Sequence, residues 1–113
     1  MHKFLLSMAF LYSLLGAAYA QDSEKADVLV ADLEAGEAAY QAVCRNCHGP
    51  KAQGLASFPK LADKDADYLT GRLKTYRAGE SVGPNSMLMI PHAQGLSDQE
   101  IANIVGYITT AFQ

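Results

Sequence analysis

The chain has 113 residues, with nine Lys and Arg against twelve Asp and Glu, and a formal charge of −3. A chain this short holds one modest domain, and its mildly acidic balance lacks the basic excess that nucleic-acid binding requires. Half of its residues are hydrophobic but only two are cysteine, which excludes a multi-disulfide scaffold.

Met1-His2-Lys3 is a short basic start, and Phe4 to Leu15 is an apolar run. Gly16-Ala17-Ala18-Tyr19-Ala20 closes it, with Ala18 and Ala20 in the A-x-A arrangement that a signal peptidase accepts. The run falls short of the roughly 20 apolar residues that a membrane span needs. We therefore expect a signal peptide over 1–20, cleaved after Ala20, and a periplasmic protein with no stable membrane insertion afterwards. Without Lys3 the balance becomes eight bases to twelve acids, a formal −4. Residues 21–31 read as a short polar leader, and 32–113 as the folded domain.

Leu29, Leu33, Gly36, Tyr40 and Val43 follow at spacings of 4, 3, 4 and 3, one stripe of an amphipathic helix. Gly36 lies on that apolar face although glycine costs about 1 kcal/mol of helix propensity relative to alanine. Close approach by another helix explains its presence there.

The helix runs into Cys44-Arg45-Asn46-Cys47-His48. Two thiols three positions apart can each add across one vinyl group of a haem, and the following histidine is delivered under the iron as an axial ligand. A structural zinc site would need further Cys or His ligands, which His2 and His92 are poorly placed to supply. A redox dithiol would need a βαβ context. The motif therefore predicts one covalently attached haem c per chain, bound through Cys44 and Cys47, with His48 on the iron. No cysteine is left for a disulfide, so the porphyrin itself must complete the apolar core, and the apoprotein is expected to fold poorly.

Further along, Leu69, Leu73 and Tyr76 point inward on a helix predicted from about Asp67 to Ala78, with Gly79 as its stop. Ser97-Asp98-Gln99-Glu100 is a capping box, and Ile101, Ile104, Val105, Ile108 and Phe112 form one face of the helix it starts. Gly106 and Tyr107 mark a second place for a close helix crossing. No stretch alternates as a strand does. The expected fold is all-α, with three main helices and long loops at Gly49–Lys64 and Glu80–Gly95. Loops of that length in a compact domain are usually functional, and both are expected to wrap the porphyrin.

A sixth iron ligand must come from what remains after export. Met1 and Met8 leave with the signal peptide, and Met87 and Met89 stay, both in the loop before the last helix. A thioether favours ferrous iron, and a Met/His pair raises the reduction potential. His92 is a competitor.

These features together resemble the class I c-type cytochromes over nearly all of the expected mature chain. The likeness rests on the Gly36/Tyr40 helix, Cys44–His48, Phe58-Pro59-Lys60-Leu61, the methionine loop and the Tyr107 helix. The stretch Met89-Ile90-Pro91-His92-Ala93-Gln94-Gly95-Leu96-Ser97-Asp98 is similar to the methionine loop of the haem subunit of flavocytochrome c sulfide dehydrogenases. It is also similar to that of single domains of tandem dihaem bacterial cytochromes. One haem motif means the chain is not tandem, and with no flavin-binding segment any flavoprotein would be a separate chain. The resemblance implies a class I cytochrome c-like fold over 32–113, with first and last helices crossing at Gly36, Tyr40 and Tyr107. It implies Met89 as sixth ligand, by its distance to Leu96-Ser97-Asp98, with Met87 packing over the haem edge. The Pro59 carbonyl would fix the other ring nitrogen of His48. Arg72, Tyr68 and Tyr76 would lie within reach of the haem propionates.

The function so implied is electron transfer through a six-coordinate His/Met haem c, between donor and acceptor proteins not identified by the sequence. The chain would be no enzyme by itself. One alternative is a dedicated electron-accepting subunit of a periplasmic dehydrogenase, such as a flavin-dependent sulfide dehydrogenase. Another is an open-iron haem peroxidase or gas sensor, against which the two loop methionines argue. Lys51, Lys60 and Lys64 would form a weakly basic rim around an apolar contact at Leu55 and Met87.

Overall fold

The computed structural model describes residues 29–113. The signal-peptide reading and most of the polar leader therefore lie outside the described residues. The first helix starts at a side-chain cap, where the Asp32 carboxylate accepts the Ala35 N–H at 3.0 Å. This α1 (Leu33–Ala39) continues through a π-helical turn (Tyr40–Cys44) into α2 (Arg45–His48). After a long loop come α3 (Ala66–Arg77), α4 (Ser86–Ala93) and α5 (Asp98–Ala111). Among the described residues there is no strand, only an isolated bridge between Leu55 and Phe58. The domain is all-α, and no described helix is long and apolar enough to cross a membrane.

Two expectations need correction. The first helix begins at Leu33 and not Leu29, because Asp32 caps it, and Leu29 is left 37 % exposed outside the helix. The segment Glu80–Gly95 is not a plain loop, because it contains α4. Pro91 in the interior masked that helix, since proline removes one helical hydrogen bond. The turn before α4 is held by Ser86, whose hydroxyl accepts the Val82 and Gly83 N–H groups at 2.8 and 3.1 Å.

The crossing of α1 and α5 organises the core. A Cβ on Gly36 would collide with the backbone carbonyl of Asn103 and lie 2.9 Å from Tyr107 Cβ, so only glycine permits this approach. Gly106 meets Ala31 and Leu33 at the same crossing. Buried Asn103 ties the junction together, accepting the Asp32 N–H at 2.8 Å and the Gln99 side-chain amide at 2.7 Å on Oδ1. Ile101, Ile104, Val105 and Ile108 are buried along α5, the face their spacing predicts. Tyr40, Tyr107 and Phe112 pack edge to face or tilted, with centroids 5.3–5.7 Å apart.

The remaining helix ends follow their sequence signals. At α3 the Glu80 N–H reaches the Thr75 carbonyl and the Gly79 N–H reaches that of Tyr76, with Gly79 at φ 78°. This is a Schellman stop that favours glycine. At α5 both halves of the capping box are formed: the Glu100 N–H donates to Ser97 Oγ at 3.0 Å, and the Ser97 N–H donates to Glu100 Oε2 at 2.7 Å.

Candidate functional site

The π-helical turn holds one more residue per turn than an α-helix and shifts the phase of everything after it. Gly36 and Tyr40 can thus face α5, while Cys44, Cys47 and His48 line a cavity on the other side. That cavity, about 340 Å3, is bounded by α2, α3, α4, α5 and the two long loops. Its walls are mostly apolar, from Val43, Phe58, Leu61 and Leu69 to Val82, Leu88, Ile104 and Ile108.

His48 is buried at 6 % exposure on its wall. Its Nδ1 lies 2.8 Å from the Pro59 carbonyl oxygen. A carbonyl can only accept, so Nδ1 carries the proton and Nε2 keeps its lone pair for a metal. The loop that brings Pro59 here is folded back on itself. Gly54 N–H donates to the His48 carbonyl at 2.8 Å, and the Ala52 carbonyl accepts from Leu61 and Ala62. Tyr40 fixes its near end, donating its hydroxyl to the Gly49 carbonyl at 2.6 Å. Nothing in the spacing of the motif announced that bond. Burial, first of all, pushes the Tyr40 hydroxyl up to about 12.

Cys44 and Cys47 are half-buried, unpaired with each other, and both on the cavity wall. Burial pushes the Cys44 thiol up to about 11, which disfavours the thiolate that a redox dithiol needs at neutral pH. Among the described residues there is no group of three or more His, Cys, Asp or Glu that could hold a metal ion. The donor set fits a haem: two thiols in the wall, one imidazole with a fixed tautomer, and an apolar slot.

Opposite elements supply the rest. Met89, half-buried, lines the cavity, whereas Met87 does not and is 77 % exposed. The cause is the helix that the sequence concealed. At about 100° per residue, positions two apart point to opposite sides of α4. His92, three residues after Met89, returns to the cavity side and lines its mouth. Tyr68, Arg72 and Tyr76 of α3 also line the cavity. Arg72 Nε donates to Tyr68 Oη at 3.3 Å, and the guanidinium lies 5.3 Å from the Tyr68 ring centroid.

The expected basic rim is weaker than its lysine count suggests. Lys51, Lys60 and Lys64 do not line the cavity. Lys64 Nζ is 3.1 Å from an Asp63 carboxylate oxygen and holds that carboxyl below its usual range. Leu55 and Met87 are both exposed and outside the cavity wall. Asn85 Nδ2 donates to the Ser57 carbonyl at 3.5 Å and bridges the two loops that carry them.

Residues 33–112 match the family model for cytochrome c. The chain is 47 % identical over 68 residues to cytochrome c-554(548) of Halomonas halodenitrificans, covering 59 % of this chain and 82 % of that one. It is 38 % identical over 87 residues to cytochrome c-554(547) of Halothiobacillus neapolitanus, covering 70 % of this chain and 96 % of the other. It is 37 % identical over 71 residues to the thiosulfate dehydrogenase electron acceptor of Stutzerimonas stutzeri, covering 62 % of this chain but 33 % of that protein.

Proposed function

The chain belongs to the cytochrome c family and carries one covalently bound haem c, and from that premise we propose that it is a periplasmic single-electron carrier with His48 and Met89 as its iron ligands. When bound, the haem supplies a one-electron ferric/ferrous couple. The protein's part is to hold both ligands still in both oxidation states and to keep water away. The observation that carries the reading is His48: buried, with its tautomer locked by Pro59, and facing a cavity whose wall also holds Cys44, Cys47 and Met89.

Each element has a defined task in this reading. Cys44 and Cys47 form the two thioether bonds, which anchor the porphyrin to the end of the first helical run. The Pro59 carbonyl orients the His48 ring and raises its basicity as a ligand. Met89 closes the opposite face with a soft neutral donor, which leaves no open position for a substrate and disfavours peroxidase or gas-sensor chemistry. Arg72, at the cavity wall, offers a cation to the haem carboxylates. Residues 1–20 act as the export signal, removed after Ala20, and 32–113 as the cytochrome domain.

A second reading concerns the partner. One relative is named as the electron acceptor of a thiosulfate dehydrogenase, and the methionine loop is similar to that of sulfide dehydrogenase haem subunits. Both favour a periplasmic dehydrogenase of an inorganic sulfur compound as the donor. The ligand set is tested by the weak sulfur-to-iron charge-transfer band of ferric protein in the far red. Wild type and Met87→Ala should show it, and Met89→Ala should lose it. Retention in Met89→Ala with loss in Met87→Ala would transfer the role to Met87.

A further inference from the structure

We propose that His92 is a reserve iron ligand, positioned to replace Met89 when the thioether leaves the iron. The inference rests on the reading of Met89 as the resting ligand. On the cavity wall, α4 contributes two side chains able to bind a metal, Met89 and His92. They are three residues apart on one helix, and such side chains share a face with Cβ atoms about 5–6 Å apart.

The two histidines of the cavity differ in how their rings are committed. His48 is buried and bonded to Pro59. His92 is exposed at the cavity mouth, and among the described residues its ring makes no hydrogen bond. An imidazole in that state can turn toward the iron without breaking a protein contact. Neutral imidazole is also a common metal ligand near neutral pH.

The helix between the two positions is suited to the movement. Pro91 stands between Met89 and His92 and supplies no N–H, so the helical bond from position 91 back to the exposed Met87 is missing. Interior prolines are where helices bend. α4 has only eight residues, with no side-chain cap on its first turn. Bending at Pro91 would carry His92 inward while Ala93, which is fully buried, stays as the anchor of the C-terminal end.

His92 ligation would give a bis-histidine iron. It stays six-coordinate and closed to small ligands, but has a lower potential than the Met/His form, because the thioether that favours ferrous iron is gone. The protein would thus have a second closed state that is a poorer electron acceptor.

The test uses holoprotein with its haem attached, in four forms: wild type, His92→Ala, Met89→Ala and the double variant. Absorption and electron paramagnetic resonance report the ferric spin state, and carbon monoxide binding to ferrous protein reports access. His92→Ala should keep the far-red methionine band. Met89→Ala should lose the band yet stay low-spin, with a bis-imidazole signature and slow carbon monoxide uptake. The double variant should turn high-spin and bind carbon monoxide at least tenfold faster than Met89→Ala. If Met89→Ala is already high-spin and matches the double variant, His92 does not reach the iron. If the double variant stays low-spin, another side chain is the reserve ligand. Either result overturns the proposal and leaves Met89 in place. Persistence of the far-red band in Met89→Ala would instead remove Met89 as the resting ligand, and this proposal with it.

Discussion

Tyr40→Phe separates two consequences of one buried hydroxyl. At neutral pH the substitution removes the bond from Tyr40 to the Gly49 carbonyl, 2.6 Å long and fully buried. Orphaning a buried carbonyl would cost about 1–3 kcal/mol. Here the same oxygen also accepts the Ala52 N–H at 3.2 Å, so only one net hydrogen bond is lost, worth about 1 kcal/mol. High pH reverses the order. Burial raises the folded Tyr40 value from 10.0 to about 12. Above pH 10 the unfolded chain therefore gives up a proton that the folded protein retains. This contribution is complete below the unfolded value and is lost as pH rises through the folded one, up to about 2–3 kcal/mol in all. The phenyl ring of the variant has nothing to titrate, and the other tyrosines are common to both proteins. The two stability curves should cross near pH 11, with Tyr40→Phe less stable below and more stable above. Urea unfolding of holoprotein, followed by far-ultraviolet circular dichroism at intervals from pH 7 to 12, measures this directly. Parallel curves up to pH 12, or a loss of 3 kcal/mol at pH 7, would refute the reasoning.

Two further predictions probe the frame around the site. Gly36→Ala should destabilise the holoprotein by about 3 kcal/mol, because its new Cβ collides with the Asn103 carbonyl, a backbone atom that cannot rotate away. Denaturant titration checks it, and a cost below that of an ordinary exposed helix substitution would contradict the crossing geometry. Ser97→Ala should cost about 1 kcal/mol by removing one half of the capping box at α5, while the ferric far-red band stays unchanged. A change in that band would mean that the start of α5 controls the methionine side of the haem.

Local chemistry wrote much of this protein in one dimension. Cys44, Cys47 and His48 are fixed by a contiguous motif whose spacing matches a porphyrin. The Ser97 capping box, the Gly79 stop and the α5 face from Ile101 to Ile108 depend only on near neighbours along the chain. Gly36 announced a close crossing by standing on an apolar face, and the packing against Asn103 and Tyr107 supplies it. Three things depended on the tertiary structure. The π-helical turn at Tyr40–Cys44 sets which way the thiols face, and no periodicity reveals it. α4 was hidden because Pro91 breaks its pattern, and its burial comes from packing on α3 and not from its own propensity. Met87 and Met89 are chemically alike and two residues apart. Only the helix that carries them, seated on the rest of the fold, turns one to solvent and the other to the cavity. A motif can be read where its atoms are close in sequence, but the far side of a ligand site is set by where a distant segment packs.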